Sequence, residues 1–289
     1  MDISRLGVFA FLDSTSGAQS VDLARKVQRL GYSTLWIVEG AGRNSLSHAA
    51  WLLAKTDTLA VGTGVASVWA RAASTMAAGA RTAAELAEGR FILGIGANHP
   101  RATAMRGLNY GKPLSYMREY LAGLKSALYQ APAPRIEPPI VIGALNPRML
   151  ELAGRESDGA ITYFLPPAHT AKARAAMGPN KWVCAEQAVM LERDAAKARA
   201  AARTYMKIYL TFPAYLNNLR LHGFGDDDFA SGGSDRLVDA VVAWGDERKL
   251  HERLEAHRNA GANHVCILPL GSGGGLVPEE RVIEALAPL

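Results

Sequence analysis

Short, continuously apolar runs alternate with longer amphipathic ones along almost the whole chain. Leu6-Gly7-Val8-Phe9-Ala10-Phe11-Leu12 opens the series as a strand. After a Ser/Thr/Gly turn, Ser20 is placed to cap a helix in which Val21, Ala24, Val27 and Leu30 form one stripe, closed by Gly31. Seven more strands are predicted, over residues 34–38, 59–65, 91–95, 140–143, 159–163, 182 to about 191, and 264–268. Helices fall between them at about 47–55, 72–87 and 113–129, then after Pro147 and Pro167, with a last one reaching Ala287. Strands that are apolar on both faces belong to a parallel sheet covered by helices. Right-handed crossovers close eight such units into a (β/α)8 TIM barrel, an α/β fold. The rival, an open doubly wound sheet, calls for a dinucleotide fingerprint after the first strand, and none is there. One excursion breaks the rhythm: a mostly helical insertion at about 194–258, between strands seven and eight, which includes the loop 223–233. The Pro-rich stretch 131–139 is a surface connection, because the pattern resumes unchanged after it. The expectation is a single domain over residues 1–289.

Composition narrows the function classes. With 49% hydrophobic and 20% charged residues, a disordered or fibrous chain is excluded. No apolar run approaches the ~18 residues of a membrane span. An acid at position 2 and the lack of a small-residue cleavage site argue against a signal peptide, so a cytoplasmic protein without a membrane partner is expected. Two cysteines in apolar runs read as buried thiols. The net charge of +5 raises nucleic acid, but the basic residues are interspersed with acids and aromatics are only 7%, so no nucleic-acid partner is expected.

In a barrel, chemistry gathers at the C-terminal ends of the strands. The second strand ends in Glu39, which is placed either to hold a proton at the barrel mouth or to pair with Arg43 or Arg71. Gly62 and Gly64 in the third strand mark a bulge or a close approach. The fourth ends in Gly94-Ile95-Gly96-Ala97-Asn98, with amides open to an anion. The fifth ends in Gly143-Ala144-Leu145-Asn146-Pro147, where Asn146 is either a plain cap or part of a phosphate-binding helix start. Gly271-Ser272-Gly273-Gly274-Gly275, after the eighth strand, is a phosphate cradle or an ordinary loop. No Lys occupies a strand end, which argues against Schiff-base chemistry. No HxH or HExxH occurs, and no metal site is expected.

At this point the sequence resembles the bacterial luciferase-like flavin and deazaflavin oxidoreductases, in particular the branch of coenzyme F420-dependent oxidoreductases. The motifs that carry the resemblance run in order through nearly the whole chain. They are Leu30-Gly31-Tyr32 leading to Leu35-Trp36-Ile37-Val38-Glu39, Val61-Gly62-Thr63-Gly64-Val65 with Arg71, and Gly89-Arg90-Phe91-Ile92-Leu93-Gly94-Ile95-Gly96. Lys112-Pro113-Leu114, Leu152-Ala153-Gly154 with Asp158-Gly159-Ala160, and Gly261-Ala262-Asn263-His264-Val265 follow. The resemblance implies a barrel whose cleft holds a flavin-shaped tricycle against strands two to five. It implies a non-proline cis peptide at Gly64-Val65, a ring contact at Glu39, and phosphate near Gly96-Ala97-Asn98 and Gly143-Ala144-Leu145-Asn146. It also implies a homodimer, formed through helices after the early strands. In some deazaflavin enzymes an acid and then His end strand two, whereas Gly40 follows Glu39 here.

The expected activity is therefore hydride transfer between deazaflavin coenzyme F420 and a small organic substrate. Glu39 would polarise the ring or relay a proton, and Tyr163, at the end of strand six, would face the substrate. FMN-dependent monooxygenation and a non-catalytic flavin-binding barrel are the alternatives.

Overall fold

The computed structural model describes residues 1–288. Its strands are β1 (Gly7–Ala10), β2 (Thr34–Ile37), β3 (Ala60–Thr63), β4 (Ala66–Ser67), β5 (Phe91–Gly96), β6 (Ile140–Gly143), β7 (Gly159–Thr162), β8 (Trp182–Met190), β9 (Val242–Trp244) and β10 (His264–Pro269). Eight of them pair in parallel in the order β1-β2-β3-β5-β6-β7-β8-β10, and β10 returns to β1, so the sheet is a closed barrel. The remaining two are extra. β4 resumes strand three beyond Gly64-Val65 and pairs with β5, and β9 adds to the end of β8.

The excursion between β8 and β10 thus contains a strand that the helical reading lacked. Val-Ala-Trp is too short for its period to show. Within this stretch the helix Glu247–Asn259 packs on both β8 and β10, as a barrel helix does, while the helices Ala195–Met206, Pro213–Arg220 and Asp235–Val241 lie before it. No helix among the described residues is long and apolar enough to cross a membrane.

The first helix, Gly17–Arg29, starts earlier than its apolar stripe. Ser16 caps it in a reciprocal box with Gln19, and Ser20 is a buried interior residue whose hydroxyl returns to the Ser16 carbonyl, 3.0 Å away. The Ala-rich helix Ala73–Leu86 turns Ala77, Ala80, Ala83 and Ala84 inward and packs on its neighbours Ser45–Leu53 and Pro113–Lys125. Its small side chains thereby serve packing within the chain. Both thiols, Cys184 and Cys266, are free and buried on the adjacent strands β8 and β10.

The lumen is filled by side chains, as a barrel of this size requires. Near its lower end the Trp36 indole donates to His264 Nε2 at 3.0 Å, and the His264 Nδ1–H reaches the Ile3 carbonyl at 2.7 Å. Gly62 makes room for that indole, since a Cβ there would lie 2.4 Å from it. Close approach, one of the two readings of these glycines, is therefore what Gly62 provides.

Candidate active site

At the C-terminal mouth of the barrel lies a cavity of about 290 Å³, at the lower edge of the range for small-molecule sites. Its walls include Gly64, Val65, Gly96, Ala97, Asn98, Gly143, Leu145, Asn146 and Tyr163. Residues expected from four separate strand ends are thus brought together. Two expected residues are not. Ala144 is buried and directs its amide to the Ile161 carbonyl at 3.2 Å. Glu39 also stands outside the wall, for a different reason.

The Glu39 carboxylate is 5% exposed and bound on both oxygens. Arg71 grips it with both guanidinium nitrogens, and the Ser67 amide donates to Oε2 at 2.7 Å. Burial pushes this carboxyl up, but Arg71 and the Ser67 amide together outweigh it, and the net shift is downward. Of the two partners the sequence offered, Arg71 is the one used. Arg43 instead turns to the Leu12 and Thr15 carbonyls. No free lone pair of Glu39 faces the cavity, so a proton relay through it has no geometric support.

The back of the cavity is formed by Val65. The Gly64–Val65 peptide is cis. The Val65 side chain rests on two glycines: a Cβ at Gly96 would fall 2.3 Å from Val65 Cγ2, and one at Gly143 would fall 3.3 Å from Cγ1. Phe9, Phe11, Val38 and Ile161 extend this wall and make it apolar. Polar groups stand around it. Asn98 has φ +53°, and its side-chain oxygen is buried without a partner. Asn146 occupies the N-cap of the helix Pro147–Glu156 but makes no capping bond, so its side chain is not committed to that job. The Leu145 carbonyl is drawn away by two donors, His169 Nε2 at 2.7 Å and Asn218 Nδ2 at 2.5 Å.

The far wall comes largely from the excursion. Tyr209, Ala214 and Tyr215 line the cavity, and Phe212 stacks on the His99 ring with centroids 4.1 Å apart and planes 3° from parallel. Burial pushes His99 down to about 4, so its imidazole is neutral near pH 7. Its ring nitrogens have no partner among the described residues. The Tyr163 hydroxyl shares a hydrogen bond with Tyr209 at 2.7 Å and accepts one from Tyr205 at 3.0 Å. Burial holds the Tyr163 phenol well above its usual range, and the neighbouring tyrosines add to this.

Sequence reasoning missed Phe9, Phe11, His99, Tyr209 and Tyr215. His99 follows directly on Asn98 at the end of the strand-four run and was legible. The tyrosines were not, because nothing local says where the excursion docks. Neither the loop 223–233 nor the glycine run Gly271–Gly275 contributes to the wall. Asp228 in that loop is instead engaged by Ser234, Arg236 and the Gly225 amide.

A family model described as luciferase-like monooxygenase matches residues 5–264. The chain belongs to the luciferase-like monooxygenase family. This luciferase-like barrel is 26% identical over 220 residues to the 5,10-methylenetetrahydromethanopterin reductase of Methanolobus tindarius, covering 67% of this chain and 68% of that one. Among solved structures it superimposes on the coenzyme F420-dependent tetrahydromethanopterin reductase of Methanopyrus kandleri with TM-score 0.77 at 17% identity, over 99% of this chain and 98% of that one. The oxygenating constituent of the 3,6-diketocamphane monooxygenase of Pseudomonas putida, in complex with FMN, gives TM-score 0.71 at 16% identity, over 99% and 97%. Such identities establish the shared barrel. The family assignment makes the protein a luciferase-like oxidoreductase.

Proposed function

We propose that the protein transfers a hydride between deazaflavin coenzyme F420 and a small organic acceptor. The observation that carries the reading is the cavity itself. An apolar wall, built by Val65 seated on two glycines, lies in one cavity with Asn98 and His99, whose side chains have polar atoms without partners among the described residues. A tricyclic ring with a polar edge fits that combination. The sequence relative named as a reductase, and the F420-dependent reductase of similar fold, favour deazaflavin over FMN. The FMN-bound monooxygenase of similar fold supports the second reading, FMN-dependent monooxygenation.

Val65, Gly96 and Gly143 would support one ring face, with Gly64 behind them. Ala97, Asn98, Ala144, Leu145 and Asn146 would form the phosphate-side edge, Ala144 through its position in the loop rather than by contact. When bound, a deazaflavin supplies a carbon that gives or accepts a hydride. The chain supplies the rest. Tyr163 keeps its proton at neutral pH and, where Tyr209 donates in the hydrogen bond they share, would offer that O–H to an atom that gains negative charge in the cavity. Neutral His99 offers a donor on one ring nitrogen and an acceptor on the other. Tyr215 would line the site, and Phe212 would hold the His99 ring in place by stacking on it. Glu39 acts at one remove, fixing the Ser67 backbone next to the ring wall.

Parallel fluorescence-quenching titrations of the protein with F420 and with FMN test this reading. Micromolar or tighter binding of F420 alone supports it, binding of FMN alone transfers the site to the monooxygenase reading, and binding of neither removes both. We also propose a homodimer and a single domain over the chain. Sedimentation velocity checks the first, and a single cooperative unfolding transition checks the second.

A further inference from the structure

The lumen below the cavity holds a second acid, in the middle of β8. Glu186 is 1% exposed and is paired across the sheet with Cys266. Its Oε2 accepts the Phe164 amide at 2.9 Å, and its Oε1 has no partner. The groups that face it are the Tyr163, Tyr205, Tyr209 and Tyr215 phenols and the Cys266 thiol, with Cys184 two residues away on its own strand. No cation is among them. Burial pushes this carboxyl up to about 8, which leaves it neutral at pH 7.

The amide it holds is an unusual one. Phe164 has φ +62°, the left-handed region, which is unfavourable for a bulky side chain. The turn is nonetheless fully buried: the Phe164 ring stacks on Tyr209 with centroids 4.9 Å apart and meets Tyr205 and Tyr215 edge-on. Tyr163 immediately precedes it and lines the cavity, with its hydroxyl held between Tyr205 and Tyr209. Where the chain turns at Phe164 therefore decides where the Tyr163 ring goes.

We propose that Glu186 is a positioning residue: its carboxyl clamps the Phe164 amide in the left-handed turn and so sets Tyr163 in the cavity wall, its hydroxyl held between Tyr205 and Tyr209. The part of this inference that concerns the cavity rests on the oxidoreductase reading; the clamp itself does not. A neutral acid suits the task. One oxygen accepts the N–H, and no charge is left in the lumen for the phenols to solvate. Glutamine offers the same acceptor, whereas leucine fills similar space and offers none.

Two measurements test it. The first is amide hydrogen exchange, resolved to Phe164, on the ligand-free protein. Glu186→Leu is expected to speed exchange at Phe164 about tenfold, as loss of one buried hydrogen bond predicts, with the other barrel strands unchanged. Glu186→Gln is expected to retain wild-type protection. The second is the F420 dissociation constant (FMN, if only FMN binds) of Glu186→Leu, Tyr163→Phe and the double variant. Glu186→Leu is expected to weaken binding no more than Tyr163→Phe does, and the double variant is expected to bind like Tyr163→Phe alone. Unchanged exchange in Glu186→Leu overturns the clamp, as does lost protection in Glu186→Gln. Exchange raised throughout the barrel makes Glu186 merely structural. Additive losses in the double variant break its link to Tyr163. If neither cofactor binds the wild type, the oxidoreductase reading falls while the exchange result still decides the clamp. Should Glu186→Leu fail to fold, protection at Phe164 in Glu186→Gln decides it.

Discussion

Glu39 and Glu186 are both almost wholly buried, yet one lies against a guanidinium and backbone amides, and the other against a single amide and a group of phenols. The first is held ionised by its partners and the second is held neutral by their lack. Desolvation acts on both in the same direction, and the presence of Arg71 is what separates them. The lesson concerns what a buried acid is for. Glu39 knits β2 to the segment that carries Ser67 and Arg71, while Glu186 shapes one turn at the end of β7.

The comparison breaks most visibly if Arg71 is removed. Arg71→Met leaves Glu39 buried and charged without its cation and is expected to cost about 3–5 kcal/mol in urea unfolding. Pairing it with Glu39→Gln is expected to recover part of that loss. Next in size is Gly96→Ala, in the cavity wall against Val65. The new Cβ meets Val65 Cγ2, so overpacking of about 1–3 kcal/mol is expected, and cofactor titration is expected to show weakened binding as Val65 is driven into the cavity.

The two acids also pull stability in opposite directions with pH. Glu39 is depressed below the ordinary value of 4.5, so its contribution is complete above that pH and is lost as pH falls through its folded value. Glu186 is raised to about 8. The native state therefore binds the extra proton between 4.5 and about 8, and the contribution of this group falls as pH rises through that window. The slope is at most about 1.4 kcal/mol per pH unit. Denaturation measured across pH is expected to show a shallower acid limb in Glu39→Gln and a shallower decline between pH 4.5 and about 8 in Glu186→Gln. Wild-type-like slopes in either variant would contradict the assigned ionisation state. The smallest effect is that of Tyr163→Phe, expected to cost about 1 kcal/mol because the Tyr205 and Tyr209 hydroxyls each lose a partner.

The barrel was legible because parallel strands are apolar on both faces and the helices between them carry a stripe, two periods that a single sequence displays. Much of the cavity wall was legible too, since Gly64, Val65, Gly96, Asn98 and Asn146 all sit at strand ends, where a barrel gathers its chemistry. Glu39 shows the limit of that reasoning. Its place at a strand end was right, but whether a carboxylate is free or spent depends on a residue 32 positions away in the chain. Glu186 failed for the reverse reason. It lies inside the run Cys184-Ala185-Glu186-Gln187-Ala188, where a charge reads only as an interruption, and its neighbours come from β7, β10 and the excursion. Tyr209, Phe212 and Tyr215 belong to a segment whose docking depends on contacts such as Asn218 with Leu145, and those have no local signature.

Val65 has a consequence for anyone wishing to alter this protein. Its isopropyl group touches glycines on two different strands and makes no hydrogen bond through its side chain, so it works as a depth stop whose length is set by one residue. Shortening it to Ala deepens the pocket by two methyl groups without disturbing a polar contact, and lengthening it to Ile raises the floor. The depth of the cavity can thus be tuned at a single position while both buried acids keep their partners.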